Sequence, residues 1–119
     1  MRSYTSASAI LGALFATAAL SVATPSQAFD EDAAKALLKK NDCFKCHAID
    51  KTKKGPSYKK IAAKYREKGK EAEAEPKMIK HMTTSPKVKL EDGTEEDHKI
   101  IDTKDQAELK NIVQWIMSL

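Results

Sequence analysis

Residues 43–47 read Cys43-Phe44-Lys45-Cys46-His47, which is a C-x-x-C-H motif. This spacing is typical of haem c attachment, because two thiols can add across the two vinyl groups of one haem and form thioethers. The adjacent histidine can then bind the iron as the proximal ligand. The motif therefore predicts one covalent haem c, attached through Cys43 and Cys46 and bound at the iron by His47.

Three other kinds of site also use closely spaced cysteines. A thioredoxin-type redox pair requires an α/β fold with a strand before it, whereas a helix-like segment precedes Cys43. Zinc sites seldom place a histidine directly beside the second cysteine. A disulfide between Cys43 and Cys46 would be strained and would close too short a loop to add much stability. Haem c attachment is therefore the preferred interpretation.

The first 28 residues have the pattern of a secretory signal peptide. They contain one basic residue, Arg2, and no acidic residue, and they include a mostly apolar stretch, Ala9–Ala23. Small residues precede a cleavage site after Ala28, and the apolar run is too short for a membrane span. We therefore expect residues 1–28 to be cleaved and residues 29–119 to form one small domain in the periplasm, where haem c is attached. We expect no membrane insertion of this mature chain.

Length and composition indicate one small globular domain. The chain has 119 residues, of which 41% are hydrophobic and 32% are charged. Residues 29–119 contain 20 basic and 17 acidic residues, a formal charge of +3 that is too small to indicate a nucleic-acid partner. A domain this short usually needs a cofactor or a covalent constraint to complete its core, which agrees with a covalent haem.

Apolar residues at helical spacing predict an all-α fold with about four helices and no sheet of consequence. The first helix lies within residues 30–42, before the motif. The second begins near Tyr58 and ends before Gly69, a residue that favours helix termination. The third lies within residues 71–82 and contains Pro76, so it either begins at that proline or is kinked there.

The C-terminal part of the chain combines a possible hairpin with a helix. Asp92-Gly93 favours a tight turn, so residues 87–101 can form a short hairpin with His98–Ile101 as its second strand. Thr103-x-x-Gln106 matches a capping box and predicts the start of the final helix. We expect this helix to contact the first one.

The stretch Cys43–Tyr65, CFKCHAIDKTKKGPSYKKIAAKY, closely resembles the short periplasmic class I cytochromes c of bacteria. The resemblance extends over most of residues 29–119 and includes Gly55-Pro56 and the terminal Trp115-Ile116. It implies the class I cytochrome c fold around one covalent haem, and a protein that carries electrons between redox enzymes. In that family the proline carbonyl accepts a hydrogen bond from the proximal histidine. The resemblance therefore implies this role for Pro56, which would fix the orientation of the ligand ring.

The segment that supplies the sixth iron ligand departs from the family pattern. The family usually has a Met-Pro pair before the last helix, whereas residues 83–102 contain no methionine. His98 stands near the expected position, counted back from Trp115, so our first prediction is coordination by His47 and His98. An exposed loop histidine among acidic residues is the competing interpretation of His98. Other ligands stay open: Met82, then His81, with Met78 and an iron without a sixth ligand as further alternatives.

Charge is distributed unevenly along the chain. Residues 39–70 carry a net charge of +9, and residues 71–105 carry a net charge of −4. We expect a lysine-rich haem edge that attracts acidic redox partners in a salt-dependent way. Its lysines are Lys45, Lys51, Lys53, Lys54, Lys59 and Lys60. A solvated face that only keeps the protein in solution is the competing interpretation.

These features together predict a soluble periplasmic monohaem electron carrier that is a monomer and not itself an enzyme. Because methionine raises the reduction potential of haem relative to histidine, two histidine ligands predict a lower potential than the family norm. Two alternatives stay open. One is a haem-based binder or sensor of small ligands with an exchangeable sixth site. The other is an electron-transfer subunit of a dehydrogenase or reductase complex.

Overall fold

The computed structural model of the protein describes Ala19 and residues 29–119. Apart from Ala19, the predicted signal peptide lies outside the described residues, so its cleavage stays a prediction. The predicted all-α class with about four helices and a short hairpin is confirmed. The elements are α1 (Glu31–Lys40), a 3₁₀ turn (Cys43–Lys45), α2 (Tyr58–Glu67), α3 (Glu71–Thr84), β1 (Lys87–Lys89), β2 (Glu95–Asp97) and α4 (Gln106–Met117).

Local sequence signals account for the bounds of α1 and α2. The carboxylate of Asp30 caps α1 by accepting a hydrogen bond from the N–H of Ala33 at 3.0 Å. The hydroxyl oxygen of Ser57 caps α2 in the same way, accepting from the N–H of Lys60 at 3.1 Å. Gly69 follows the end of α2 with a φ of 61°, in the left-handed conformation that glycine adopts most easily.

The starts of α3 and α4 depend on details that the sequence pattern did not resolve. Pro76 lies inside α3, which begins before it at Glu71. α4 is capped by Asp105, whose carboxylate accepts from the N–H of Ala107 at 2.8 Å. The capping box predicted at Thr103 is therefore wrong. It would require Gln106 to be the third residue of the helix, whereas Gln106 is the first.

β1 and β2 form an antiparallel hairpin in which Val88 pairs with Glu96. The N–H of Leu90 donates to the carbonyl of Thr94 at 2.7 Å and closes the turn between the strands. Because β1 has only three residues, strand pairing ends before the chain reaches His98. The prediction that His98–Ile101 forms the second strand is therefore wrong.

The packed core is centred on α4, since α1, α2 and α3 each pack against it. The predicted contact between the first and last helices is therefore confirmed. Within the described residues, no helix combines the length and the apolar character needed to cross a membrane. The buried residues of α4 are Leu109, Ile112, Val113, Trp115 and Ile116, and those facing them include Ala34, Leu38, Tyr58, Ala62, Met78 and Met82.

A pair of hydrogen bonds ties the start of α1 to the middle of α4. The side-chain oxygen of Asn111 accepts from the N–H of Asp30 at 2.6 Å, and its amide nitrogen donates to the carbonyl of Asp30 at 2.8 Å. One side chain therefore satisfies both backbone groups of the α1 cap residue. The two residues lie 81 positions apart in the chain, so the pair fixes how the first helix docks on the last.

We expect Asn111→Ala to lower the free energy of unfolding by about 1–2 kcal/mol, because it removes two hydrogen bonds that water only partly replaces. Denaturant unfolding of the haem-loaded protein measures this loss. Lys110→Ala is the matched control on the same helix, because its exposed side chain has one ion pair, to Glu75 at 3.6 Å. The control should change stability by less than about 0.5 kcal/mol. Equal losses in both variants would contradict the role of Asn111.

Candidate haem-binding site

A cavity of about 890 Å³ opens between the 3₁₀ turn, α2, α3 and the hairpin. Ligand cavities in proteins have volumes of roughly 300–1,000 Å³, so this one is at the large end of that range. The residues that line it include Cys43, Cys46 and His47 of the motif. They also include His98 and Met82, which come from the C-terminal half. The cavity thus brings together residues that are far apart in sequence.

The C-x-x-C-H motif occupies one tight turn of backbone. Asp42 precedes the turn with a φ of 59°. The carbonyl of Cys43 then accepts from the N–H groups of Cys46 and His47, at 3.2 and 2.9 Å. The side chains of both cysteines are partly buried in the wall of the cavity and form no disulfide with each other. The turn therefore presents two thiols and one imidazole to the same space.

The ring of His47 is held from behind by the Gly55-Pro56 loop. Its Nδ1 lies 2.7 Å from the carbonyl oxygen of Pro56, which accepts the hydrogen bond. This bond leaves the other ring nitrogen available to a metal. Gly55 allows the loop to approach this closely, because a Cβ atom at that position would lie 2.8 Å from Cε1 of His47. The ring also packs against Tyr58, with 5.3 Å between ring centroids.

The ring of His98 faces His47 with 6.0 Å between the two centroids. A metal–imidazole bond is about 2 Å long, so two imidazoles on opposite sides of one metal place their centroids about 6 Å apart. Nδ1 of His98 is buried and has no hydrogen-bond partner among the described residues. Burial, followed by the nearby rings of His81 and His47, lowers the pKa of His98 to about 4. The 6.0 Å distance between the two rings therefore fits an iron between them.

Comparison with known proteins assigns the chain to a family. The family described as Cytochrome c matches residues 31–119. The chain belongs to the cytochrome c family. Haem-based electron transfer and a covalent haem c with iron are features of this family, so the predicted resemblance and the predicted cofactor are confirmed.

Two relatives illustrate how similar this cytochrome is to known ones. Cytochrome c-552 of Nitrosomonas europaea is 48% identical over 54 residues, which are 45% of this chain and 48% of the relative. The match therefore spans about half the length of that curated relative. The crystal structure of the class 1 cytochrome MtoD from Sideroxydans lithotrophicus ES-1 is similar at 54% sequence identity. It matches with a TM-score of 0.68, over 76% of this chain and 97% of MtoD.

The cytochrome's other candidate ligands lie on α3, at the same cavity. Met82 is buried in the helical core and also lines the cavity. His81 is exposed, and its ring meets that of His98 edge to face at 4.4 Å between centroids. Burial lowers the pKa of His81 as well. Met78 is buried with the core residues. The structure thus brings all four candidate residues to the lining of one cavity.

Lysines surround the cavity, although mostly not those that the sequence predicted. All six predicted lysines are exposed, but among them only Lys60 lines the cavity. Sequence reasoning missed the other lining lysines, among them Lys64 of α2 and those of α3, since it ranked lysines by closeness to the motif. The spacing of Lys60 and Lys64, one helical turn apart, is a signal that would have found part of this set. The other lining lysines are Lys68, Lys70, Lys77, Lys80, Lys89 and Lys99.

We expect Gly55→Ala to displace the ring of His47, because the new Cβ atom would clash with it. The ferric absorption spectrum should then gain a high-spin fraction, and stability should fall by about 1–3 kcal/mol. Gly69→Ala is the control, since Gly69 has a positive φ but open space around it. That variant should lose about 1 kcal/mol of stability through backbone strain and keep its spectrum. An unchanged Gly55→Ala spectrum would refute the close approach.

Proposed function

We propose that this cytochrome is a soluble periplasmic carrier of single electrons between redox enzymes, with its iron held between His47 and His98. The observation that carries the proposal is the 6.0 Å separation of the two imidazole centroids across the cavity. Haem iron supplies a one-electron couple between its ferric and ferrous states. Two strong ligands would leave no open position at the iron, which favours electron transfer over the binding of small ligands.

The other residues of the site hold and orient the group in this proposal. Cys43 and Cys46 would form the thioethers, and His47 would bind the iron as the proximal ligand. Pro56 accepts the hydrogen bond from His47 Nδ1 at 2.7 Å, which fixes the ring and raises its basicity as a ligand. His98 would complete the coordination of the iron. Because neither His47 nor His98 is a thioether ligand, the haem would have a lower reduction potential than with histidine–methionine ligation.

Location and processing follow from the N-terminal sequence. Arg2, the apolar stretch Ala9–Ala23 and the small residues before position 29 support cleavage after Ala28 and export. Residues 29–119 would then be the mature cytochrome domain. We further propose that this domain acts as a monomer, without enzymatic activity of its own, and passes electrons to separate redox proteins.

The charge around the cavity supports an acidic docking surface on the partners. Lys60 and Lys64 lie on the exposed side of α2 and line the cavity, and neither has a carboxylate partner among the described residues. Unpaired lysines near the redox centre raise the encounter rate with negatively charged partners. Lys45, in contrast, already pairs with Asp42 at 3.1 Å, so its charge is partly offset.

We expect His98→Ala to convert a low-spin iron into a high-spin one and to allow the ferrous protein to bind carbon monoxide. Wild-type protein should stay low-spin, should bind carbon monoxide only slowly, and should lack a methionine-to-iron charge-transfer band. Met82→Leu and His81→Ala are the controls, because both side chains line the same cavity; both variants should keep the wild-type spectrum. Loss of low-spin iron in Met82→Leu alone would make Met82 the ligand. Ready binding of carbon monoxide by wild type would favour the small-ligand binder instead.

Replacing Lys60 and Lys64 together by glutamine should slow oxidation of the ferrous protein by hexacyanoferrate(III), an anion, several-fold at low salt. Stopped-flow absorbance measures the rate. The double variant Lys39→Gln/Lys104→Gln removes the same charge from exposed positions outside the cavity lining, and it should change the rate less than twofold. The difference should vanish near 1 M salt, where the Debye length is about 3 Å. Equal slowing by both variants would indicate an effect of net charge only.

A further inference from the structure

Four hydrogen bonds tie the segment that carries His98 to the rest of the molecule. Two of them end on backbone carbonyls near the end of α3: the N–H of His98 donates to Pro86 at 2.8 Å, and the N–H of Ile101 donates to Met82 at 2.9 Å. The third comes from the side chain of Asn41, whose oxygen accepts from the N–H of Asp102 at 2.9 Å. In the fourth, the hydroxyl of Ser85 donates to the carbonyl of His98 at 2.6 Å.

Ser85 has an unusual backbone conformation. It follows the last residue of α3 with φ 50° and ψ 54°, in the left-handed region. Glycine adopts this conformation without steric cost, whereas a residue with a Cβ atom does so only at an energetic penalty. A strained non-glycine residue beside a functional group indicates that its side chain has a use there. Here the side chain has one hydrogen bond, and it ends on the residue that faces His47.

We propose that Ser85 is a positioning residue for His98, an inference that rests on the proposed role of His98 as the sixth ligand. The hydroxyl bond to the carbonyl and the N–H bond to Pro86 hold the two peptide groups that flank the His98 Cα atom. With both groups held, the direction of the Cα–Cβ bond is set, and the ring is directed towards His47. Groups that orient a ligand in this way change its binding to the metal without touching the metal.

The neighbouring hydroxyl makes a matched comparison possible. Thr84 donates to the carbonyl of Lys80 at 2.6 Å, one turn back in its own helix. It is the residue immediately before Ser85 and has an equivalent hydroxyl group, but it makes no hydrogen bond to the His98 segment. Removing the Thr84 hydroxyl therefore tests the general cost of losing a hydroxyl at the end of α3.

The experiment measures carbon monoxide binding to the ferrous holo-protein, the ferric spin state and the thermal midpoint for three variants. Ser85→Gly removes the hydroxyl and also relieves the strained backbone, Ser85→Ala removes the hydroxyl only, and Thr84→Ala is the control. Both Ser85 variants should bind carbon monoxide about three- to tenfold faster than wild type, as expected for the loss of one hydrogen bond that restrains the competing ligand. Ser85→Gly should do so with a thermal midpoint equal to or above that of wild type. Thr84→Ala should bind at the wild-type rate.

A purely structural role for Ser85 gives a different result. In that case Ser85→Gly would bind carbon monoxide at the wild-type rate and keep the wild-type ferric spectrum, and the positioning role would be overturned. His98→Ala, measured in parallel, separates this failure from failure of the proposed ligand. If His98→Ala loses low-spin iron while Ser85→Gly is unchanged, only the positioning role is wrong. If His98→Ala keeps the wild-type spectrum, the ligand assignment is wrong and the role of Ser85 is overturned with it.

Discussion

The hydrogen bond between His47 and the carbonyl of Pro56 connects the haem-binding motif to the helical core. Its 2.7 Å length requires the Gly55-Pro56 loop to lie directly behind the imidazole. The same loop leads into α2, whose first residue, Tyr58, packs against both His47 and Trp115 of α4. The orientation of one ligand ring and the packing of two helices are therefore parts of a single arrangement. A change that moves the ring also disturbs the aromatic contacts on which α4 rests.

The side of the cavity opposite His47 is built differently. Between the end of α3 and the start of α4, Ile101 is the buried apolar residue that joins the helical core. The rest of this connection is held by hydrogen bonds to backbone groups and by two polar side chains, those of Ser85 and Asn41. Such bonds each contribute about 1 kcal/mol, less than a well-packed apolar side chain. The His98 side is thus fastened by polar contacts, and the His47 side by packing.

This contrast explains which features the sequence predicts. The motif, the apolar stripes of the helices and the glycine after α2 act over a few residues, so pattern reasoning identifies them. The extent of β2 and the cap of α4 were predicted wrongly. The length of β2 depends on how many residues of β1 pair with it, and the cap of α4 depends on which nearby side chain bonds to the first N–H groups of the helix. Residue type alone determines neither. The left-handed conformation of Ser85 has no signal beyond the serine–proline pair that follows α3. His98 was predicted as a ligand from its distance from Trp115, a property of the fold that the family resemblance supplied.

The segment between α3 and α4 contributes little to the buried core, and this affects how the redox properties can vary. The helices α1, α2 and α3 pack on α4. The described segment between α3 and α4 adds one buried apolar side chain, that of Ile101, to this core. The sixth ligand can therefore change from one amino acid to another while the helices and the thioether turn keep their positions. The reduction potential of a haem depends strongly on that ligand. With His98 as the proposed sixth ligand, the potential depends on a segment that adds one buried apolar residue, Ile101, to the core, so it can be tuned without rebuilding that core.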